Sequence, residues 1–301
     1  MKLKISEIMA QPDPFMCKVE GGWAIYVTGD SGIGAYFCDT PFGNWEYRGL
    51  VYQKEGFHQY WAPCLYYEDG WHYLYLSCKP VDSHVENEKL RVARSKDPFG
   101  KFEDVKPLFD YFSIDAHVVR TQAGLYLWYA MDNTHCDRVG TRIVVQKMAD
   151  PVTVVGEPVE KVIPSFDEEI FQRDRYKPGQ HWHTIEGPFW LEVDGWQYVM
   201  YSGACFENET YHIGYAAAKT QQPDLLSVDY EKYSKNGAFS PLMTKNEVEE
   251  GVGHHSVICH EGQYYAIYHA RDYDSTLAGD QRTARVCKLC FHGGVITAER
   301  M

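Results

Sequence analysis

Hydrophobic and polar positions alternate along this chain in short runs, and five of those runs follow a glycine. After Gly22, Gly70, Gly124, Gly195 and Gly262 come Trp23-Ala-Ile-Tyr-Val, Trp71-His-Tyr-Leu-Tyr, Leu125-Tyr-Leu-Trp-Tyr, Trp196-Gln-Tyr-Val-Met-Tyr and Gln263-Tyr-Tyr-Ala-Ile-Tyr. Alternation of period two, rich in aromatics, predicts half-buried strands, and a turn such as Asp194-Gly195 between two such runs predicts a hairpin. Successive turn glycines lie 48, 54, 71 and 67 residues apart. A second half-repeat follows each hairpin, clearest in Ile33-Gly-Ala-Tyr-Phe with Pro41-Phe-Gly-Asn-Trp-Glu and in Leu90-Arg-Val-Ala-Arg with Pro98-Phe-Gly-Lys-Phe-Glu. Each unit reads as about four short antiparallel strands, and self-similarity at this spacing predicts an all-β fold, a five-bladed β-propeller. The whole of residues 1–301 is expected to form one catalytic domain.

Nine residues before the aligned glycines stand Asp13, Trp61, Asp115, Glu186 and Gly253, the last adjoining His254. If these positions lie on the innermost strands, radial geometry brings their side chains to one axis. The structural alternative is that each acid closes its own unit. Three acids in register, mixed with a Trp and Gly253-His-His-Ser256, favour a shared site, because converging like charges cost energy that function must justify. The proline-containing stretch 157–183 is long for a connection in a compact domain and is expected to overhang the pocket, with a solvated insertion as the equal alternative. The polar stretch 81–89 reads as a surface loop whose charges need no special role.

Composition narrows the function classes. A net charge of −13, with basic residues scattered, leaves no patch for a nucleic-acid or anionic-membrane partner. No apolar run approaches the ~18 residues of a spanning helix. The N-terminal Met1-Lys-Leu-Lys-Ile-Ser-Glu lacks the apolar core of a signal peptide, so a cytoplasmic location is expected. The nine cysteines sit mostly inside strand patterns, and Cys287/Cys290 has no matching second pair for zinc. Reduced thiols are the simpler account.

Two carboxyl groups flanking a bond are the minimum for glycoside hydrolysis, and a third can raise the acid's pKa by repulsion. Asp13, Asp115 and Glu186 supply that set, and spacing alone assigns no roles among them. The ordered motifs Pro12-Asp13-Pro14, Trp61-Ala62-Pro63, Ile114-Asp115, Glu186-Gly187-Pro188, Gly253-His254-His255-Ser256 and Tyr268-His-Ala-Arg271 resemble glycoside hydrolase family 43. The resemblance runs from Asp13 to about Leu289 and implies a five-bladed propeller acting mainly on arabinans and xylans. It implies inversion, with Asp13 as general base, Glu186 as general acid and Asp115 tuning the acid. Trp61, with the adjoining Ala62, is implied as a wall of the sugar subsite. Arg282 resembles the arginine that grips a sugar hydroxyl in exo-acting xylosidases of the family. His254 matches an axial histidine that contacts a water network or a bound cation such as Ca2+, and no other cofactor is implied.

The expected activity is release of a terminal pentose from short oligosaccharides, α-L-arabinofuranose first and β-xylose second. A non-catalytic sugar-binding propeller would not need all three acids. A glycoside phosphorylase would need a basic cluster beside the acid, for which Arg282, His254 and Arg271 are a thin set.

Overall fold

The computed structural model describes residues 1–301 except 4, 6–9, 84, 86 and 274–280. Most of the connection from Tyr273 to Arg282 and part of the 81–89 loop therefore lie outside the described residues. The fold is all-β, as the alternation predicts. The first sheet is a meander of β1 (Phe15–Val19), β2 (Gly22–Val27), β3 (Ile33–Cys38) and β4 (Glu46–Tyr52). The second holds β5 (Phe57–Glu68), β6 (Trp71–Pro80), β7 (Lys89–Ser95) and β8 (Glu103–Pro107). A third meander is β9 (Ser113–Thr121), β10 (Gly124–Asn133), β11 (Gly140–Asp150) and β12 (Thr153–Val162). The short β13 (Ile170–Gln172) then pairs with β14 (Trp182–Val193), which opens a fourth meander through β15 (Trp196–Gly203), β16 (His212–Ala218) and β17 (Glu231–Lys232). The fifth is β18 (Glu249–His260), β19 (Gln263–Asp272), β20 (Thr283–His292) and β21 (Val295–Arg300).

Two parallel pairs between β11 and β14, Gly140 with His183 and Thr141 with Thr184, fuse the third and fourth meanders into one nine-stranded sheet. Gly140 makes this approach possible, since a Cβ there would overlap the His183 carbonyl. Each hydrophobic cluster is shared by two neighbouring meanders. Tyr26, Ala35, Leu74 and Leu76 join the first and second, and Tyr75, Val92, Leu127 and Val144 the second and third. Trp128, Ile143, Val199 and Tyr201 join third and fourth, Tyr198, Met200, Ala266 and Tyr268 fourth and fifth, and Trp23, Tyr36, Ile267 and Val286 fifth and first. The first strands β1, β5, β9, β14 and β18 pack in the same cyclic order. The N-terminal segment bonds to β20 as well: the Leu3 N–H donates to the Ala284 carbonyl at 2.9 Å and the Gln11 N–H to the Arg282 carbonyl at 2.8 Å.

The repeat register differs by one residue in places from the alignment on glycines. Gly22 and Gly124 are the opening residues of β2 and β10, and the hairpin turns end at Gly21 and Ala123 instead. The second turn residues are then 21, 70, 123, 195 and 262, and eight residues before them stand Asp13, Ala62, Asp115, Gly187 and His254. All five have left-handed backbone, with φ of 51, 48, 62, 59 and 43°. At four of them the pairing of the strand with its hairpin partner slips, as in a β-bulge that re-aims side chains. A shared backbone feature at the top of each first strand thus defines the axis, and Trp61 and Glu186 sit one residue ahead of it.

Two expectations about connections are corrected. Residues 157–162 of the 157–183 stretch are the second half of β12, and none of 157–183 lines the cavity described below. The segment is instead tied to the fourth meander: Lys232 donates to the fully buried Glu169 at 2.6 Å, and Glu169 accepts the N–H groups of Ser165 and Phe166. Glu88, in the loop expected to carry idle charges, is buried and paired with Lys79 at 3.2 Å. No helix among the described residues is long and apolar enough to cross a membrane.

Candidate active site

A cavity of about 590 Å³ opens at the axis, and Asp13, Asp115, Glu186, His254, Arg282 and Trp61 all line it. The sequence-predicted acids therefore share one hollow. Ala62 does not reach it. Its backbone N–H donates to the Thr28 hydroxyl at 2.8 Å, and its methyl lines a separate space of about 20 Å³ behind the acids.

Asp13 precedes β1, its left-handed backbone fixed between Pro12 and Pro14. Its Oδ2 accepts the Thr28 hydroxyl at 2.5 Å, and its Oδ1 lies 3.2 Å from an Arg282 guanidinium nitrogen. His254 Nδ1 and His269 Nδ1 stand 3.4 and 3.2 Å from the same Oδ1. Burial opposes ionisation, yet the charges of His254 and Arg282 and the His269 contact together hold the carboxyl far below its usual range. Burial pushes His254 itself below 6.5, so it is mostly neutral at pH 7. The cation that keeps Asp13 ionised at neutral pH is accordingly Arg282, whose guanidinium is stacked on Phe206 at 4.6 Å. Histidine 269 is pushed down to about 4, chiefly by burial.

Glu186 has the opposite environment. Burial raises its pKa to about 7, with the Asp13 charge adding to the rise; the Tyr211 hydroxyl and Arg282 work against it. Tyr211 donates to Glu186 Oε1 at 2.6 Å. Asp115 is raised too, first by burial and then by the charges of Glu186 and Asp13, while the Gly187 N–H donates to its Oδ2 at 2.9 Å. In Asp115 and Glu186 burial thus favours the protonated form, while Asp13 is held ionised. Two carboxyl groups in one pocket with pKa values pushed apart is the arrangement that divides acid from base.

Donor atoms of Asp115, Glu186 and His254 lie within 4.8 Å of one another. They do not fit Ca2+, which takes about 6–8 oxygen ligands. One of the three donors is a nitrogen, Glu186 retains its proton near neutrality, and two are already engaged by Tyr211 and the Gly187 N–H. The space behind them, lined by His117 and His255, has room for about one water.

Thr28, Tyr211 and Phe206 escaped the sequence reading. Each is a lone residue in a connection between strands, outside any motif, and only the tertiary packing brings it to the acids. Tyr211 had one indirect signal: a Cβ at Gly253, in the Gly-His-His-Ser run, would overlap its ring.

A pocket that pairs a protonated carboxyl with an ionised one can carry out acid–base hydrolysis of an acetal. The sequence profile described as Glycosyl hydrolases family 43 matches residues 8–295, and the chain belongs to that family. It is 23% identical over 282 residues to the extracellular exo-alpha-(1->5)-L-arabinofuranosidase ArbA of Cellvibrio japonicus, covering 86% of this chain and 78% of that protein. Among solved structures, a thermostable family-43 glycoside hydrolase superposes with a TM-score of 0.82 at 29% identity, over 100% of this chain and 96% of the other. The alpha-L-arabinofuranosidase from Lactobacillus brevis has a TM-score of 0.80 at 22% identity, over 96% and 93% of the two chains. By family, the chain is a glycoside hydrolase.

Proposed function

We propose that the protein is an inverting, exo-acting glycosidase that releases a terminal pentose, α-L-arabinofuranose in the first place, from short arabino- or xylo-oligosaccharides. Its scaffold is read as a five-bladed β-propeller, which the cyclic order of shared clusters supports. The observation that carries the reading is Glu186, protonated up to about pH 7, in one cavity with Asp13, held ionised beside Arg282. In this reading Glu186 gives its proton to the glycosidic oxygen as the bond from that oxygen to the anomeric carbon breaks. Asp13 takes a proton from a water whose oxygen bonds to the opposite face of that carbon. Tyr211 and the Gly187-bonded Asp115 hold Glu186 in place, and Arg282 both fixes Asp13 and faces the sugar.

The test is hydrolysis of p-nitrophenyl α-L-arabinofuranoside and p-nitrophenyl β-D-xyloside by the wild type and Glu186→Ala. Arabinofuranoside cleavage with inversion, lost in the variant, is expected; no turnover of either glycoside would overturn the reading. β-Xylosidase action is the second reading, favoured by the Arg282 guanidinium in the cavity, and the same pair of substrates separates the two. We read catalysis as needing no metal, so exhaustive dialysis against EDTA should leave turnover unchanged. A cytoplasmic location is supported by nine free cysteines, five of them buried, and cell fractionation tests it.

A further inference from the structure

The cavity does not stop at the acids. It continues over the first meander, where the turn residues Gly29 and Gly32 and the β3 residue Gly34 leave a floor without side chains, toward Tyr47 and Leu50 of β4. These two are among the exposed large hydrophobic residues, at 39% and 37%, and both line the cavity. At the seam with the second meander stands Gln59. Its backbone is left-handed, with φ of 53°, although it is neither glycine nor asparagine. Bonds across the seam hold it there: the Gln59 N–H donates to the Asp30 carbonyl at 3.1 Å, and Gly29 and Tyr60 exchange backbone bonds at 3.0 and 2.9 Å. Tyr60 is in turn anchored through its hydroxyl to the Lys54 and Phe57 carbonyls. Gln59 is one of the residues lining the cavity, and its side-chain oxygen, shielded from solvent, has no hydrogen-bond partner in the protein. An amide side chain with open bonding capacity on a fixed backbone, in one cavity with an exposed aromatic ring, is the equipment that orients a polyhydroxylated ring.

Building on the glycosidase reading, we propose that Gln59, Tyr47 and Leu50 form a second sugar subsite continuous with the acid pocket. A neighbouring pentose lies on Tyr47 and Leu50, and one of its hydroxyl groups bonds to the Gln59 amide. Gln59 is thereby a specificity-determining residue for oligosaccharides over single sugars.

Calorimetric titration of the Glu186→Gln protein with α-1,5-arabinobiose, β-1,4-xylobiose, arabinose and xylose tests this. One disaccharide should bind at least tenfold more tightly than its monosaccharide, and Gln59→Ala or Tyr47→Ala in the same background should erase that ratio. Equal affinity for disaccharide and monosaccharide, or a ratio that survives both substitutions, would overturn the subsite. Circular dichroism and thermal melts establish that the variants fold; Gln59→Gly, which accepts the left-handed backbone, serves if Gln59→Ala does not. If the wild type hydrolyses no pentoside while the Gln59-dependent ratio persists, the subsite stands and the glycosidase reading falls. Products from a reducing-end-labelled trisaccharide then locate the second ring. Release of unlabelled monosaccharide puts it on the leaving-group side, and release of unlabelled disaccharide on the other.

Discussion

The Tyr211 hydroxyl donates to Glu186 Oε1 across 2.6 Å, from a ring that is fully buried. This bond favours the ionised carboxylate and so restrains the rise that burial imposes on Glu186. The acid is functional while protonated, so kcat/KM should fall as pH rises through about 7. Replacing Tyr211 with Phe removes the restraint, and the alkaline limb should move to higher pH. A pH–rate profile of Tyr211→Phe checks the sign; a limb that moves to lower pH would refute the assignment. The groups facing Glu186 that also titrate or carry charge are Asp13, Asp115, His254 and Arg282, and of the charges acting on it Arg282 shares the direction of Tyr211.

Glu186→Ala and Asp13→Ala should each lower kcat by roughly 100- to 10,000-fold, the usual contribution of one acid or base. Both are expected to stay folded. Glu186 is only partly buried and lines the cavity, and removing either acid withdraws a group whose charged form burial disfavours. Thermal melts beside the kinetics separate loss of chemistry from loss of structure. Near-native turnover in Glu186→Ala would show that another group is the acid.

Thr28 links two meanders through one hydroxyl, donating to Asp13 Oδ2 and accepting the Ala62 N–H. Thr28→Ala should lower kcat about tenfold or more, in line with the ~1.5–3 kcal/mol of a hydrogen bond to a charged group. KM should change little, and Thr28→Ser should restore most of the rate. Steady-state kinetics of the two variants decide between an orienting role for the hydroxyl and simple packing, which Ser would not rescue.

At Gly253 the constraint is steric. A Cβ there would overlap the Tyr211 ring, so Gly253→Ala should cost about 1–3 kcal/mol of stability, as overpacking does, and also lower kcat by displacing the partner of Glu186. Urea unfolding and kinetics on Gly253→Ala, Tyr211→Ala and the double variant test the coupling. Strictly additive losses would mean that the ring and the glycine are independent.

The buried Lys232–Glu169 pair makes a different prediction. Lys232→Met leaves Glu169 without its cation and should destabilise by about 3–5 kcal/mol, with Lys232→Met/Glu169→Gln recovering part of that loss. Neither residue lines the cavity, so kcat at 25 °C should stay near the native value. Denaturant melts and an assay below the transition measure both effects.

Strand alternation and the turn pairs Asp69-Gly70 and Asp194-Gly195 announced the all-β meanders, because side-chain periodicity and left-handed turns are local properties that a linear sequence records. The same locality made Asp13, Asp115 and Glu186 visible, each inside a short motif at a repeating offset. The offset was blurred by one residue where the turn ends at Gly21 and Ala123 rather than at a strand-opening glycine. Tertiary structure alone decided which side chains meet those acids. Thr28, Gln59, Tyr211 and Arg282 reach the cavity from four different meanders, at sequence distances where no period survives, and the opposite charge states of Asp13 and Glu186 follow from their neighbours there. Protonation depends on burial and on charges a few ångströms away, which are set by packing and left unwritten in the order of residues.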